Sequence, residues 1–128
     1  MTLNAFLKEN VALPENEKSV VSKRFVEDGK EVLWEYRAIT SKEDEALRCY
    51  TPDGELDTDR YLGLLAAYCT VFPDLEDVRL QDSYGVMGAD NLLKAMLTPG
   101  EYTSYLDKIG RLNGFEEAFS DKVNQAKN

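Results

Sequence analysis

Between Leu56 and Phe72 the chain sets Tyr61, Leu62, Leu64, Leu65, Ala66, Ala67, Tyr68, Cys69, Val71 and Phe72 in close apolar succession. A stretch this dense has to be buried, and at its length a helix is the expected form. Positions 61, 64, 65, 68 and 72 share one helical face and 62, 66 and 69 widen it, which predicts a central helix packed on several sides. Leu56 precedes an Asp57 N-cap, so Tyr61 falls at the fourth helical position, the spacing of a hydrophobic staple. Pro73 is expected to end the helix. With 128 residues, 43% of them hydrophobic, there is chain enough for one domain around that helix and too little for two.

Upstream the hydrophobic period changes. Leu3, Phe6 and Leu7 suit a short helix behind Thr2, giving way near Asn10 to an irregular stretch around Pro14, either a docked arm or a frayed end. From Ser19 to Ile39 the period is two, with Val32, Trp34, Tyr36 and Ala38 on one side of a strand and Glu31, Leu33, Glu35 and Arg37 on the other. Asp28-Gly29 is a type I′ turn signal that pairs Val26 with Glu31 and Phe25 with Val32. That register puts Val21, Phe25, Val32, Trp34 and Tyr36 on one face and Arg24 between Glu31 and Glu35 on the wet one. A lone hairpin is marginal in water, so the aromatic face is expected to rest on helices or on a partner.

Helix signals dominate the remainder. A capping box at Thr40/Glu43, or a cap at Ser41/Asp44, opens a segment whose Ala46, Leu47 and Tyr50 share a face, and Pro52-Asp53-Gly54 closes it. Asp74 is placed to cap a short helix carrying Leu75 and Val78, with Gly85 at its end. Leu92, Leu93, Met96 and Leu97 mark another helix, and Thr98-Pro99-Gly100-Glu101 joins a capping box to proline at the first helical position. Tyr102, Tyr105, Leu106, Ile109 and Leu112 line the inner face of that last helix, and Asn113-Gly114 stops it. Beyond the stop, Phe115, Phe119, Val123 and Ala126 recur at helical spacing among charged residues. The expected fold is α+β, mostly α: a compact helical domain over residues 1–114 around a central buried helix, an N-terminal β-hairpin at about 19–39, and an amphipathic C-terminal tail over 115–128.

Charge and residue types exclude several functions. A formal charge of -9, from 24 acidic and 15 basic residues, repels nucleic-acid phosphates and anionic membrane surfaces. The longest apolar run, Leu62 to Cys69, is far short of the roughly 20 residues that span a bilayer. Lys8 and Glu9 interrupt any secretory leader, so a cytoplasmic protein is expected. Histidine is absent, which removes the commonest general base and metal ligand. Asp53, Glu55, Asp57 and Asp59 invite a calcium reading, but an EF-hand loop from Asp53 needs glycine and glutamate where Thr58 and Leu64 stand. Glu43-Asp44-Glu45 reads as an exposed first turn favoured by the helix dipole. Gly85-Val86-Met87-Gly88 has the spacing of neither a dinucleotide fingerprint nor a P-loop, and Trp34 with Tyr36 reads as core. Cys49 and Cys69 are too few for a disulfide framework. No catalytic residue, cofactor or metal is expected. The stripe Phe115, Phe119, Val123 is the candidate for partner binding.

The chain resembles the XkdN-like family of tail assembly chaperones of tailed phages and PBSX-like prophages. The resemblance spans nearly the whole chain. It is carried by Leu3-Asn4-Ala5-Phe6-Leu7, by Trp34-Glu35 before Arg37, and above all by Leu80-Gln81-Asp82-Ser83-Tyr84-Gly85-Val86-Met87-Gly88-Ala89. Leu97, Pro99-Gly100-Glu101-Tyr102 and Asn113-Gly114-Phe115 complete it, while the Thr51 to Leu56 connector departs from the family's pattern in being short. The resemblance implies a non-enzymatic factor that binds the tape measure protein and helps the tail tube protein assemble around it, and the apolar stripe past Gly114 adds a second copy of the chain as a further expected partner. It also implies action in the host cytoplasm and absence from the mature virion. The rival reading is a structural minor tail or connector protein whose hairpin edge is an assembly surface.

Overall fold

The computed structural model describes residues 2–115. Two short 3-10 turns, Leu3–Phe6 and Lys8–Asn10, open the chain, followed by β1 (Glu17–Ser19), β2 (Val26–Glu27), β3 (Lys30–Glu31) and β4 (Trp34–Tyr36). Then come α1 (Ser41–Leu47), α2 (Thr58–Cys69), β5 (Thr70–Phe72), α3 (Val78–Ser83), α4 (Ala89–Met96) and α5 (Pro99–Leu112). The fold is α+β. One antiparallel sheet has the order β1-β4-β5 and a second is the β2-β3 hairpin.

The hairpin turn forms as its residues dictate. Asp28 and Gly29 have φ of 52° and 76°, the two positive values that a type I′ turn requires. Val26 pairs with Glu31, and the Val32 N–H donates to the Phe25 carbonyl at 2.9 Å. Further along, the expected register fails. β4 pairs with β1, Ser19 standing opposite Trp34 and Glu17 opposite Tyr36, while the residues from Val20 to Arg24 leave the ladder. Long-range polar partners on α5 cause the detour. Ser22 Oγ donates to Glu101 Oε2 at 2.5 Å, and Lys108 Nζ donates to the Val20 carbonyl at 3.2 Å. Arg24 turns away from Glu31 and Glu35 to hold Glu101 and the Met96 carbonyl. Two charge-assisted bonds to one carboxylate outweigh a pair of exposed cross-strand contacts.

The central helix is present, capped by Asp57, whose carboxylate accepts the Arg60 N–H at 3.3 Å. It stops at Cys69 rather than Phe72. Thr70, Val71 and Phe72 are β-branched or aromatic, and the residue before a proline is pushed out of the helical region, so the segment extends and pairs with β4. The buried stripe is accordingly Tyr61, Leu62, Leu65, Ala66 and Cys69, whereas Tyr68 is 38% exposed and off the core face. Leu92, Leu93, Met96 and Leu97 cover α2 from one side and Tyr105, Leu106 and Ile109 from another. Trp34 packs edge-on to Tyr105 with ring centroids 5.4 Å apart, and Tyr36 does the same at 5.5 Å, which seats the sheet on α5.

The helix starts follow local chemistry with two shifts. Thr40 and Thr98 both form complete capping boxes, with Glu43 and Glu101. α1 ends at Leu47, leaving Ala46 exposed and Tyr50 63% exposed in a bridge to Leu56 instead of on a helical face. α3 is capped by Asp77, not Asp74. The Asp74 carboxylate accepts the Glu76 N–H in a preceding turn, and Asp77 accepts from Leu80. The N-terminal arm is undocked, with Leu3 and Phe6 79% and 80% exposed. Among the described residues, no helix is long and apolar enough to cross a membrane.

Candidate functional site

An apolar groove runs between the β2-β3 hairpin and α3. Phe25, Val32 and Trp34 form one wall and the floor, Met96 closes the base, and Phe72, Pro73, Leu80 and Tyr84 form the other wall. Its volume is about 220 Å³. Small-molecule sites run to roughly 300–1,000 Å³, so this space suits one or two large side chains better than a cofactor. Phe72 and Tyr84, 52% and 39% exposed, put aromatic surface on its lip. A second, more open cleft shares Phe72, Pro73 and Leu80 with the groove and adds Glu27, Asp74, Asp77, Arg79 and Ser83.

Three local devices hold the groove's walls. Phe25 packs at a tilt of 50° against Trp34 with centroids 5.9 Å apart, and the Arg24 guanidinium lies 5.3 Å from the Phe25 ring centre. Arg24 is anchored in turn by Glu101, whose carboxyl is held down to about 2, first by Arg24 and then by Ser22 and the Thr98 N–H. On the opposite wall, Gln81 donates to the Leu75 carbonyl at 2.8 Å and accepts the Gly88 N–H at 3.2 Å. The Gly85 N–H reaches the Asp82 carbonyl and the Val86 N–H that of Gln81, the paired bonds of a Schellman close.

A polar cluster lies across the molecule. Asp44, 6% exposed, accepts a short hydrogen bond from the Tyr61 hydroxyl and a bond from Arg48 Nη2 at 3.1 Å. Burial first, and then the Asp44 carboxylate, raise the Tyr61 phenol above its ordinary range. Asp44 is thus a buried tie between α1 and α2, not part of an exposed first turn. Glu43 accepts from the Tyr68 hydroxyl at 2.6 Å. These groups are engaged with one another. Burial pushes the Cys69 thiol up to about 12, which leaves it protonated and inert. Among the described residues, no group of three or more His, Cys, Asp or Glu could hold a metal ion.

The sequence-predicted stripe divides at the edge of the described residues. Phe115 packs against the core, and its N–H donates to the Gly110 carbonyl at 2.8 Å as the last bond closing α5. It also lines a cavity with Ile39, Asp44, Arg48 and Asn113. Phe119 and Val123 lie outside the described residues.

The family model of the phage XkdN-like tail assembly chaperone protein matches residues 3–127. The chain belongs to this family. The uncharacterized protein YqbN of Bacillus subtilis (strain 168) is 29% identical over 98% of this chain and 93% of its own length. The phage-like element PBSX protein XkdN of the same strain is 28% identical over the same shares. A crystal structure of the protein YqbN matches with a TM-score of 0.81 at 29% identity, covering 91% of this chain and 98% of that one.

In this XkdN-like chain the string Leu80 to Ala89 builds one wall of the groove and the turn that supports it. The sequence expectations excluded phosphate binding at Gly85 to Gly88 and did not foresee the groove. The available signal was Leu80 with Tyr84, an apolar and an aromatic residue one helical turn apart.

Proposed function

We propose that this chain is a non-catalytic tail assembly chaperone whose client is the tape measure protein. It acts in the host cytoplasm while the tail tube is built and is absent from the finished particle. The observation that carries this reading is the apolar groove of Trp34, Phe72, Leu80 and Tyr84, open at the surface of a member of the tail assembly chaperone family. A helical client lays side chains at one-turn spacing into such a groove, which shields them from other copies while the tube is incomplete. Phe119 and Val123 are a second proposed contact, because a stripe continuing past the α5 stop widens the apolar area available to a long client.

Co-expression with the tape measure protein tests the reading. The expected result is that the large chain becomes soluble and copurifies with this one. A tape measure protein that stays insoluble, or is soluble without binding, overturns it.

A further inference from the structure

The groove is apolar, but its outer side is acidic. Glu27 on the hairpin and Asp74 and Asp77 before α3 border the cleft that shares Phe72, Pro73 and Leu80 with it, with Arg79 as the basic residue among its described lining. One oxygen of Asp74 and one of Asp77 are committed to the Glu76 and Leu80 N–H groups, and the second oxygen of each accepts no hydrogen bond within the described residues. We infer that the groove takes a client helix whose apolar ridge is flanked on one side by lysine or arginine, the basic side chains meeting Glu27, Asp74 and Asp77. This rests on the chaperone reading and adds the chemistry of the segment bound.

Charge decides between this occupant and a second copy. The exposed arm carrying Leu3, Phe6 and Leu7 has the apolar side chains to fill the groove, but its Lys8 is outnumbered by Glu9 and Glu15. A second copy also brings a net charge of -9 against another -9. A basic-flanked ridge meets opposite charge instead, which steers encounter and selects against acidic helices. The space of about 220 Å³ admits one or two anchors, so the flanking charges supply the selectivity that so small a pocket lacks.

Fluorescence anisotropy with three labelled helix-forming peptides tests this: a leucine ridge with flanking lysines, the same ridge with glutamates, and the lysine peptide with serines in the ridge. Only the first is expected to bind, and more tightly at about 0.1 M salt than at about 1 M, where the Debye length falls from about 10 to 3 Å. The triple variant Glu27→Gln, Asp74→Asn, Asp77→Asn keeps both turn hydrogen bonds while removing three charges. It should bind about tenfold more weakly and lose the salt dependence. Phe72→Ser should lose binding at both salts, with Tyr84→Ser as the substitute if that variant melts early.

Equal binding of the lysine and glutamate peptides, or no effect of the triple variant, overturns the inference. So does failure of every peptide to bind when sedimentation shows the parent self-associating through Phe72. The two readings fail separately. If the tape measure protein copurifies with parent and triple variant alike while the peptides stay free, the chaperone stands and this groove chemistry falls. If the lysine peptide binds as described but the tape measure protein is never retained, the groove chemistry stands and the client is another basic-flanked chain.

Discussion

Arg24 Nη2 lies 2.6 Å from Glu101 Oε1 and 2.7 Å from the Met96 carbonyl, across 77 and 72 residues of chain. Through this one side chain the hairpin side of the groove is fastened to the start of α5. Glu101 closes its own capping box with the Thr98 N–H at 2.8 Å, so one carboxylate serves both the helix start and the clasp.

The clasp should make stability depend on acid. Glu101 has a folded value of about 2 against an ordinary 4.5. A depressed carboxylate stabilises fully above its unfolded value and loses that contribution as pH falls through the folded one. The parent should therefore lose stability between about pH 4.5 and 2 more steeply than Glu101→Gln, which keeps a capping-box residue but no charge. Urea midpoints over that range check it, and parallel curves for the two proteins would remove Glu101 from the acid response.

Tyr61→Phe removes a hydrogen-bond donor from the buried Asp44 carboxylate. The expected cost is about 1–3 kcal/mol, the penalty for leaving a buried polar group short of a bond. Tyr68→Phe, at an exposed pair with Glu43, should melt close to the parent. Thermal melts that rank the two variants the other way would show that Asp44 finds another donor.

Leu65 is fully buried at the centre of the α2 stripe. Leu65→Ala should destabilise by about 2–5 kcal/mol through lost transfer energy and the cavity left behind. Denaturant midpoints report it, and a parental value would mean that α2 is not the centre of the core.

Gly29→Val should cost about 1–2 kcal/mol because a β-branched residue resists φ of 76°, although no atom lies within 4 Å of the added Cβ. The loss should fall on the hairpin. Amide exchange at Val32, whose N–H donates to the Phe25 carbonyl, should speed up while α2 amides stay protected.

Cutting the chain after Gly114 deletes Phe115, which caps α5 and packs on the core, so that truncation should lower the melting temperature. A cut after Phe115, or Phe119→Asp in the full chain, should leave melting nearly unchanged and weaken copurification with the tape measure protein. Full retention of the client by both would move the contact entirely to the groove.

What the amino-acid order determined alone is what a few neighbouring residues decide. The boxes at Thr40/Glu43 and Thr98/Glu101, the Asp57 cap, the Asp28-Gly29 turn and the alternation of Val32, Trp34, Tyr36 and Ala38 all act within four or so positions, and each stands as its local chemistry requires. The overall class, α+β with a buried α2, followed from those signals. The tertiary structure decided wherever a residue had two partners of similar local merit. Arg24 had Glu31 and Glu35 beside it and took Glu101. Asp44 had water and the α1 dipole and took Tyr61. Thr70 to Phe72 could continue a helix and instead completed a sheet. In each case the winning partner is brought near by elements far away in sequence, and for Asp44 and Tyr61 burial further strengthens a polar bond that the same residues would make only weakly in water. The groove belongs to the same class: Phe25, Trp34, Phe72, Leu80 and Met96 come from five separate segments, so only the folded chain makes them neighbours.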